Sequence, residues 1–402
     1  MKKEFGGAEH FIEDSRMEMA NALAKMVGIK AISPISGGAG EGKRADFLQR
    51  MLQGWGFAVK RYTYIDETGT ERPNLVTVLG NNKRTLWIIT HTDTVSEGDR
   101  SAWKTDPFKG VIKNGKVFGR GTNDNGQEVI ASIFALRALK ESGSGMKRNL
   151  GVVLAADEEL GSEYGMGALV RKGIFGKRDM FIVPDSGNAK GDEIEISEKS
   201  TLWLRVTVLG KQVHASTPQD GVNAYRYAIR FLNEIDEYMH KKYKKRDKLF
   251  ITPSTFEMTK HEKNLDSTNI IPGKEVSYID CRILPRYRVD SVLNDMRRIA
   301  KAKRFGKARI IVDVFEREDA TRPTSEKSEI VRMLKRALKK QRGIRAKCVG
   351  IGGGTVAKPL RKLGMQVAVW STQHDIAHQP NEYAEIDHMV ADAKTFAFLC
   401  TG

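Results

Sequence analysis

The sequence predicts an α/β protein of two domains: a mostly parallel sheet in an α/β/α sandwich, interrupted by an inserted ferredoxin-like α+β domain. Three observations carry this. Short β-branched apolar runs alternate with helical segments through the first half, the pattern of a parallel sheet covered on both faces. Near residue 200 the rhythm changes to period-two alternation, in the order strand-helix-strand-strand-helix-strand. From about residue 317 helix and strand alternate once more. The boundaries read as 1–199, 200–316 and 317–402, and 402 residues suit two domains.

The elements follow in order. "MKKEFGGAEHFIEDSRMEMANALAKMVGI" has no apolar segment of signal-peptide type and reads as an amphipathic helix. "RADFLQRMLQGWGF" is amphipathic at helical spacing. "LVTVLG", "TLWIIT", "NLGVVLAA" and "DMFIVP" read as strands, with helices in "EVIASIFALRALKESG" and "GMGALVRKGIF". In the inserted domain the strands are "TLWLRVTVLG", "TPSTFEMTK", "EVSYIDCRIL" and "ARIIVDVFE", and the helices "GVNAYRYAIRFLNEIDEYM" and "VDSVLNDMRRIAKA". Helix "SEIVRMLKRALKK", strand "QVAVWS" and a helix from "DHMVADAKTFAFLC" follow.

Composition narrows the function. No apolar stretch approaches the roughly 20 residues of a spanning helix, so no membrane association is expected. The three cysteines, Cys281, Cys348 and Cys400, form no CxxC pair. That suits a reducing cytoplasm and excludes a cysteine-built zinc site. The net charge of +17 falls in ordinary helical surroundings such as "HKKYKKRDK". Without a zinc-finger, helix-turn-helix or RNA-binding signature it reads as a solvated surface that steers anionic substrates, and no nucleic-acid partner is expected.

Candidate metal ligands recur at strand ends. His91 and Asp93 follow "LWIIT", Glu158 and Glu159 follow "GVVLAA", Asp185 follows "FIVP", and His378 comes shortly after "QVAVW". Asp124 lies in the glycine-rich "GRGTNDNGQ", just before a helix. Each has an ordinary reading: a helix N-cap for Asp124, a core histidine, a solvated turn for the glutamate pair. Their convergence is the signal, because open α/β sheets gather ligands beyond the carboxyl ends of their strands. Two imidazoles and three carboxylates without a thiolate suit zinc, cobalt or manganese. Five ligands exceed the need of one open site. If one carboxylate bridges, each of two metals has three protein ligands and an open position. Asp93 can accept the other N–H of His91.

"HTDTV", "FGRGTNDNGQ", "ADEELGS", "PDSG", "GKQVHASTPQDGVNA" and "AHQPNE" resemble, in order along nearly the whole chain, the motifs of the co-catalytic metallopeptidase family. That family includes acetylornithine deacetylase, succinyl-diaminopimelate desuccinylase, aminoacylase and the glutamate-type carboxypeptidases. The resemblance implies a catalytic domain with an inserted lid and dimerisation domain. It implies two divalent ions, zinc first and cobalt or manganese next. His91, Asp124 and Asp185 would hold one, and Asp124, Glu159 and His378 the other, with Asp124 bridging. Asp93 would orient His91, Glu158 would be the general base, and the Asp124–Asn125 peptide would be cis. His214, in "VHASTP", would help stabilise the tetrahedral intermediate in the partner subunit of a homodimer. Asn269 and Arg282 would bind substrate oxygen and carboxylate, the arginine through its two-pronged fork. The run "GIGGGTVAKPL", with Gly353 and Gly354, would be a carboxylate-binding loop. Read from residues alone, His214 is rather an ordinary exposed loop histidine, Arg282 is equally a strand-surface arginine, and the glycine run is a flexible turn without a nucleotide pattern. Two departures bear on the substrate: the lysine common after the bridging aspartate is absent in "DNGQ", and Val356 stands where a polar or acidic residue is usual. The implied activity is hydrolysis of an N-acyl amino acid amide in the cytoplasm, or, as the alternative, of a short peptide.

Overall fold

The structure, a computed structural model, describes residues 2–402. The chain divides into two compact units. The first comprises the chain up to Ile196, Thr324–Cys348 and Thr355–Gly402; the second is Ser197–Pro323 with Val349–Gly354.

The first unit is built on an eight-stranded sheet. Its order is Val59–Ile65, Glu71–Leu79, Asn149–Ala155, Thr85–His91, Met180–Asn188, Gln366–Thr372, Glu193–Glu198 and Lys347–Ile351. The four central strands, from Asn149–Ala155 to Gln366–Thr372, pair in parallel, and the sheet turns antiparallel on either side of them. Thr85–His91 and Asn149–Ala155 are buried at every residue, as a strand covered on both faces must be. Alternate residues (Trp87 and Ile89, Val153 and Ala155, Phe181 and Val183, Val367 and Val369) join one core with Leu169 and Leu360 of the helices Met166–Lys172 and Ala357–Lys362. The opposite face carries Gln127–Glu141, whose run Val129–Leu136 is wholly buried, and Ile386–Thr401. This is the α/β/α sandwich.

The amino-terminal segment departs from expectation: it forms two helices, Lys2–Asp14 and Arg16–Val27, broken at Ser15. Two strands without a sequence signal, Glu193–Glu198 and Lys347–Ile351, extend the sheet. A small sheet joins Val111–Lys113, Lys116–Phe118 and Tyr383–Glu385.

The second unit has a four-stranded antiparallel sheet in the order Thr255–His261, Lys274–Ile283, Ser200–Leu209, Arg309–Glu318. With the helices Ala224–Lys242 and Val289–Ala300 this is the ferredoxin-like arrangement. Leu202, Leu204, Val206 and Val208 share one face by the period of two and form a core with Phe231, Ile235, Val292 and Met296. Asn223 caps the first helix by accepting the Arg226 N–H at 2.9 Å. Among the described residues, no helix is long and apolar enough to cross a membrane.

Candidate metal centre

Parallel register builds the floor of the site. His91, the last residue of its strand, pairs with Ala155, the last of its neighbour, so the turn carrying Glu158 and Glu159 starts at the level of His91. On the other side Ile88 pairs with Ile182, which brings Asp185, three residues on, to the same level. His91 Nε2 lies 3.3 Å from Asp185 Oδ1 and 2.9 Å from Asp124 Oδ1. The second oxygen, Asp124 Oδ2, lies 3.1 Å from His378 Nε2, which is 3.0 Å from Glu159 Oε2. One carboxylate therefore faces His91 and Asp185 with one oxygen, and His378 and Glu159 with the other. Glu158 lies on the His91 side, its carboxylate within 4.8 Å of ligand atoms of His91 and Asp185.

The loop holding Asp124 is fixed from several directions. The Asp124–Asn125 peptide is cis, and Asn125 Nδ2 donates to Asp185 Oδ1 at 3.1 Å. Gly121 has φ 77°, and a Cβ there would sit 2.4 Å from the Thr94 methyl, so only glycine fits. Glu382 accepts the backbone N–H groups of Gly121, Asn123 and Asp124 at 2.8 to 3.1 Å. It also accepts from Arg120 Nη1 at 2.7 Å, and Arg120 Nη2 donates to the His378 carbonyl at 3.2 Å. This buried pair thus ties the Asp124 loop to the His378 loop. Sequence reasoning passed over both residues, although they stand inside the motifs "GRG" and "PNE".

Asp93 sits 3.4 Å from His91 Nδ1, as an ion-pair neighbour rather than a hydrogen-bond acceptor. Its carboxylate instead accepts the N–H groups of Glu158, at 3.1 Å, and of Glu159, at 3.0 Å. The turn is held from behind as well. Asp157 has the left-handed φ of 63°, where aspartate is tolerated better than most residues. Its carboxylate lies 3.1 Å from Arg72 and accepts the Tyr164 N–H at 3.0 Å. Arg72 is almost wholly buried and also pairs with Glu41, at 2.8 Å, and Asp66, at 3.2 Å. Of three consecutive carboxylates one thus faces a buried arginine, while the other two enter the site.

The site combines four carboxylates, Asp124, Glu158, Glu159 and Asp185, with two imidazoles. Among the described residues no lysine or arginine pairs with any of the four. Burial, reinforced by the charge of Asp185, raises the Glu158 carboxyl well above the ordinary range. Burial and Asp124 push Glu159 up to about 7. Hydrogen bonds to Asp124 and Glu159 raise His378 to about 10. Burial works against a charge on His91, but Asp185, Asp124 and Asp93 outweigh it and raise that group too. So dense a set of half-buried carboxylates calls for cations, and nitrogen and oxygen donors without thiolate fit divalent ions such as zinc, cobalt or manganese.

The residues expected from the inserted domain lie in the second unit. His214 and Asn269 are neighbours: Val213–His214 pairs with Ile270–Ile271, and the Ala215 N–H donates to the Asn269 carbonyl at 2.8 Å. His214 is exposed, and its Nδ1 accepts the Ser216 N–H at 3.1 Å, which leaves the proton of the neutral ring on Nε2. The Arg282 fork is engaged by Asp280, at 2.7 and 3.0 Å, and by Thr201, at 3.1 Å. Gly353 and Gly354 are exposed, and Arg282 Nη1 reaches the Gly352 carbonyl beside them at 3.5 Å.

Residues 87–401 match the family model of peptidase family M20/M25/M40. An uncharacterized metallohydrolase of Methanocaldococcus jannaschii is 38% identical over 393 residues, 92% of this chain and 96% of its own. A succinyl-diaminopimelate desuccinylase of Ehrlichia canis is 26% identical over 368 residues, 90% of this chain and 92% of its own. The crystal structure of a tripeptidase from Staphylococcus aureus superposes with a TM-score of 0.78 over 96% of this chain and 98% of its own; at 18% identity that likeness speaks for the fold alone. Family match and near-complete relatives agree with the geometry: the chain belongs to peptidase family M20/M25/M40 and is a metallohydrolase.

Proposed function

We propose that the protein hydrolyses the amide bond of an N-acyl amino acid, in the manner of a deacetylase or desuccinylase, with Glu158 as general base. The observation that supports this most is the division of Asp124 between two ligand groups, with Glu158 beside one of them. His91, Asp124 and Asp185 would hold one divalent ion, and Asp124, Glu159 and His378 the other, zinc being the first candidate and cobalt or manganese the next. When bound, the ions supply Lewis acidity and lower the pKa of a water. Glu158 takes the proton of the attacking water and delivers it to the leaving amine nitrogen. Asp93 fixes the turn by accepting the backbone N–H groups of Glu158 and Glu159, and it faces His91. His214, whose neutral ring carries its proton on Nε2, donates to the oxyanion that forms on the carbonyl. His214→Ala then lowers kcat about 100-fold with KM and metal content little changed, as loss of one oxyanion donor does. Steady-state kinetics with metal analysis checks this, and an unchanged kcat removes His214 from the reaction.

Asn269, Arg282 and the Gly353–Gly354 stretch are proposed for substrate oxygen and carboxylate, in a cytoplasmic homodimer joined through the second unit. The second reading is a carboxypeptidase or dipeptidase with the same chemistry; the 26% identical desuccinylase favours the first. Chelated protein is expected to lose turnover and to regain it with zinc or cobalt. One screen of N-acetyl and N-succinyl amino acids against dipeptides and carboxyl-blocked peptides decides the class. Faster turnover of dipeptides would shift the reading to a peptidase, and turnover of none would end it.

A further inference from the structure

A second group of metal-ligating side chains lies in the first unit, separate from the centre around Asp124. His374, Glu385 and His388 bring ligand atoms within 4.8 Å of one another. His374 Nε2 is 3.0 Å from Glu385 Oε1, and His388 Nε2 is 3.6 Å from Glu385 Oε2. The backbone imposes this convergence. His374 follows the strand Gln366–Thr372, Glu385 closes the strand Tyr383–Glu385, and His388 stands in the first turn of the helix Ile386–Thr401. A spacing of three residues at the start of that helix sets Glu385 and His388 on one side of it.

The contacts suit an ion better than a hydrogen-bonded cluster. His374 is satisfied by Oε1, but at 3.6 Å His388 is too far from Oε2 for a hydrogen bond. Its Nδ1 is buried and has no partner either. The two rings stack with centroids 5.4 Å apart and planes inclined by 25°, a cost-free arrangement only while at least one is neutral. Burial holds the His388 ring toward its neutral form, the form that ligates. One cation already touches the carboxylate. Lys116, cross-strand from Glu385, lies 3.3 Å from Oε1, and it also sits 3.8 Å from the centre of the Tyr383 ring, a second place for an ammonium that an ion displaces.

We propose that His374, Glu385 and His388 form a further metal site, taking a first-row divalent transition ion such as zinc. Two imidazoles and one carboxylate are a donor set on which zinc retains an open fourth position. The ion clips together the two ends of the segment 374–385, which carries His378 and Glu382. A clip of this kind stabilises by restricting the loop it closes. The proposal is independent of how the Asp124 centre is loaded.

The test counts metal. Wild type, His388→Ala and His374→Asn are saturated with zinc, passed into metal-free buffer and analysed for zinc per chain by mass spectrometry. Each variant is expected to carry one zinc fewer per chain than the wild type while the remaining zinc is unchanged. Equal zinc in wild type and either folded variant overturns the proposal. So does a difference larger than one in a folded variant, since the residues would then belong to the Asp124 centre. Asparagine at 374 retains a donor toward Glu385, so His374→Asn decides the matter if alanine at 388 disturbs the helix start.

Discussion

Glu158→Ala is expected to retain the metal content of the wild type and to lose about two to four powers of ten in turnover, the range that a positioned general base contributes. Glu159→Ala, one residue away, is expected to lose metal instead. The contrast rests on geometry. Glu159 reaches His378 at 3.0 Å, on the far side of Asp124, whereas Glu158 groups with His91 and Asp185. Both backbone N–H groups are pinned on the Asp93 carboxylate, so neither side chain can take the place of the other without breaking a buried contact. Metal analysis and single-turnover kinetics on the two variants separate the roles. Full turnover in metal-replete Glu158→Ala would place the base elsewhere, and loss of metal from it would make Glu158 a ligand.

The largest effect on stability is expected from Arg72→Leu. Removing one partner of a buried ion network strands the others, at about 3–5 kcal/mol. Here three carboxylates would be stranded, those of Glu41, Asp66 and Asp157. Burial and the charge of Asp93 already push Glu41 up to about 7 with Arg72 in place. Denaturant unfolding measures the loss, with Arg61→Leu as the control: its pair with Asp46, at 2.6 Å, is partly exposed and is worth at most about 1 kcal/mol. Equal losses in the two variants would show that the network around Arg72 adds no more to stability than a partly exposed pair.

What was legible in the sequence is what short-range pattern encodes. The central strands announce themselves by continuous apolar runs, and the chemistry stands just beyond their ends, so the meeting of His91, Glu159 and Asp185 follows from strand register. The second unit was legible because Leu202 to Val208 alternate cleanly. Charged residues whose partners are remote were not. Glu193–Glu198 reads as polar because it holds three glutamates, yet Glu195 is buried against Arg361, 166 residues away in sequence. Arg120 and Glu382 are 262 positions apart, and no spacing rule links them. The break at Ser15 escaped notice for the opposite reason: neither glycine nor proline marks it.

The discontinuous first unit has a consequence for the order in which a nascent chain can become an enzyme. Asp185 lies on a strand whose parallel neighbour, Gln366–Thr372, leaves the ribosome some 180 residues later. The core of the second unit, whose residues run from Leu202 to Val312, is translated before then, and its last segment, Val349–Gly354, only just before. His91, Asp124, Glu159 and Asp185 are all translated within the first half of the chain, but Glu382, which positions the Asp124 loop, and His378 emerge near the end. Until they do, the Asp124 loop lacks its anchor, and ions offered during synthesis meet an unfinished cradle. On the proposed ligand set, a product truncated before residue 378 lacks one ligand of the second ion and the Glu382 anchor of the Asp124 loop.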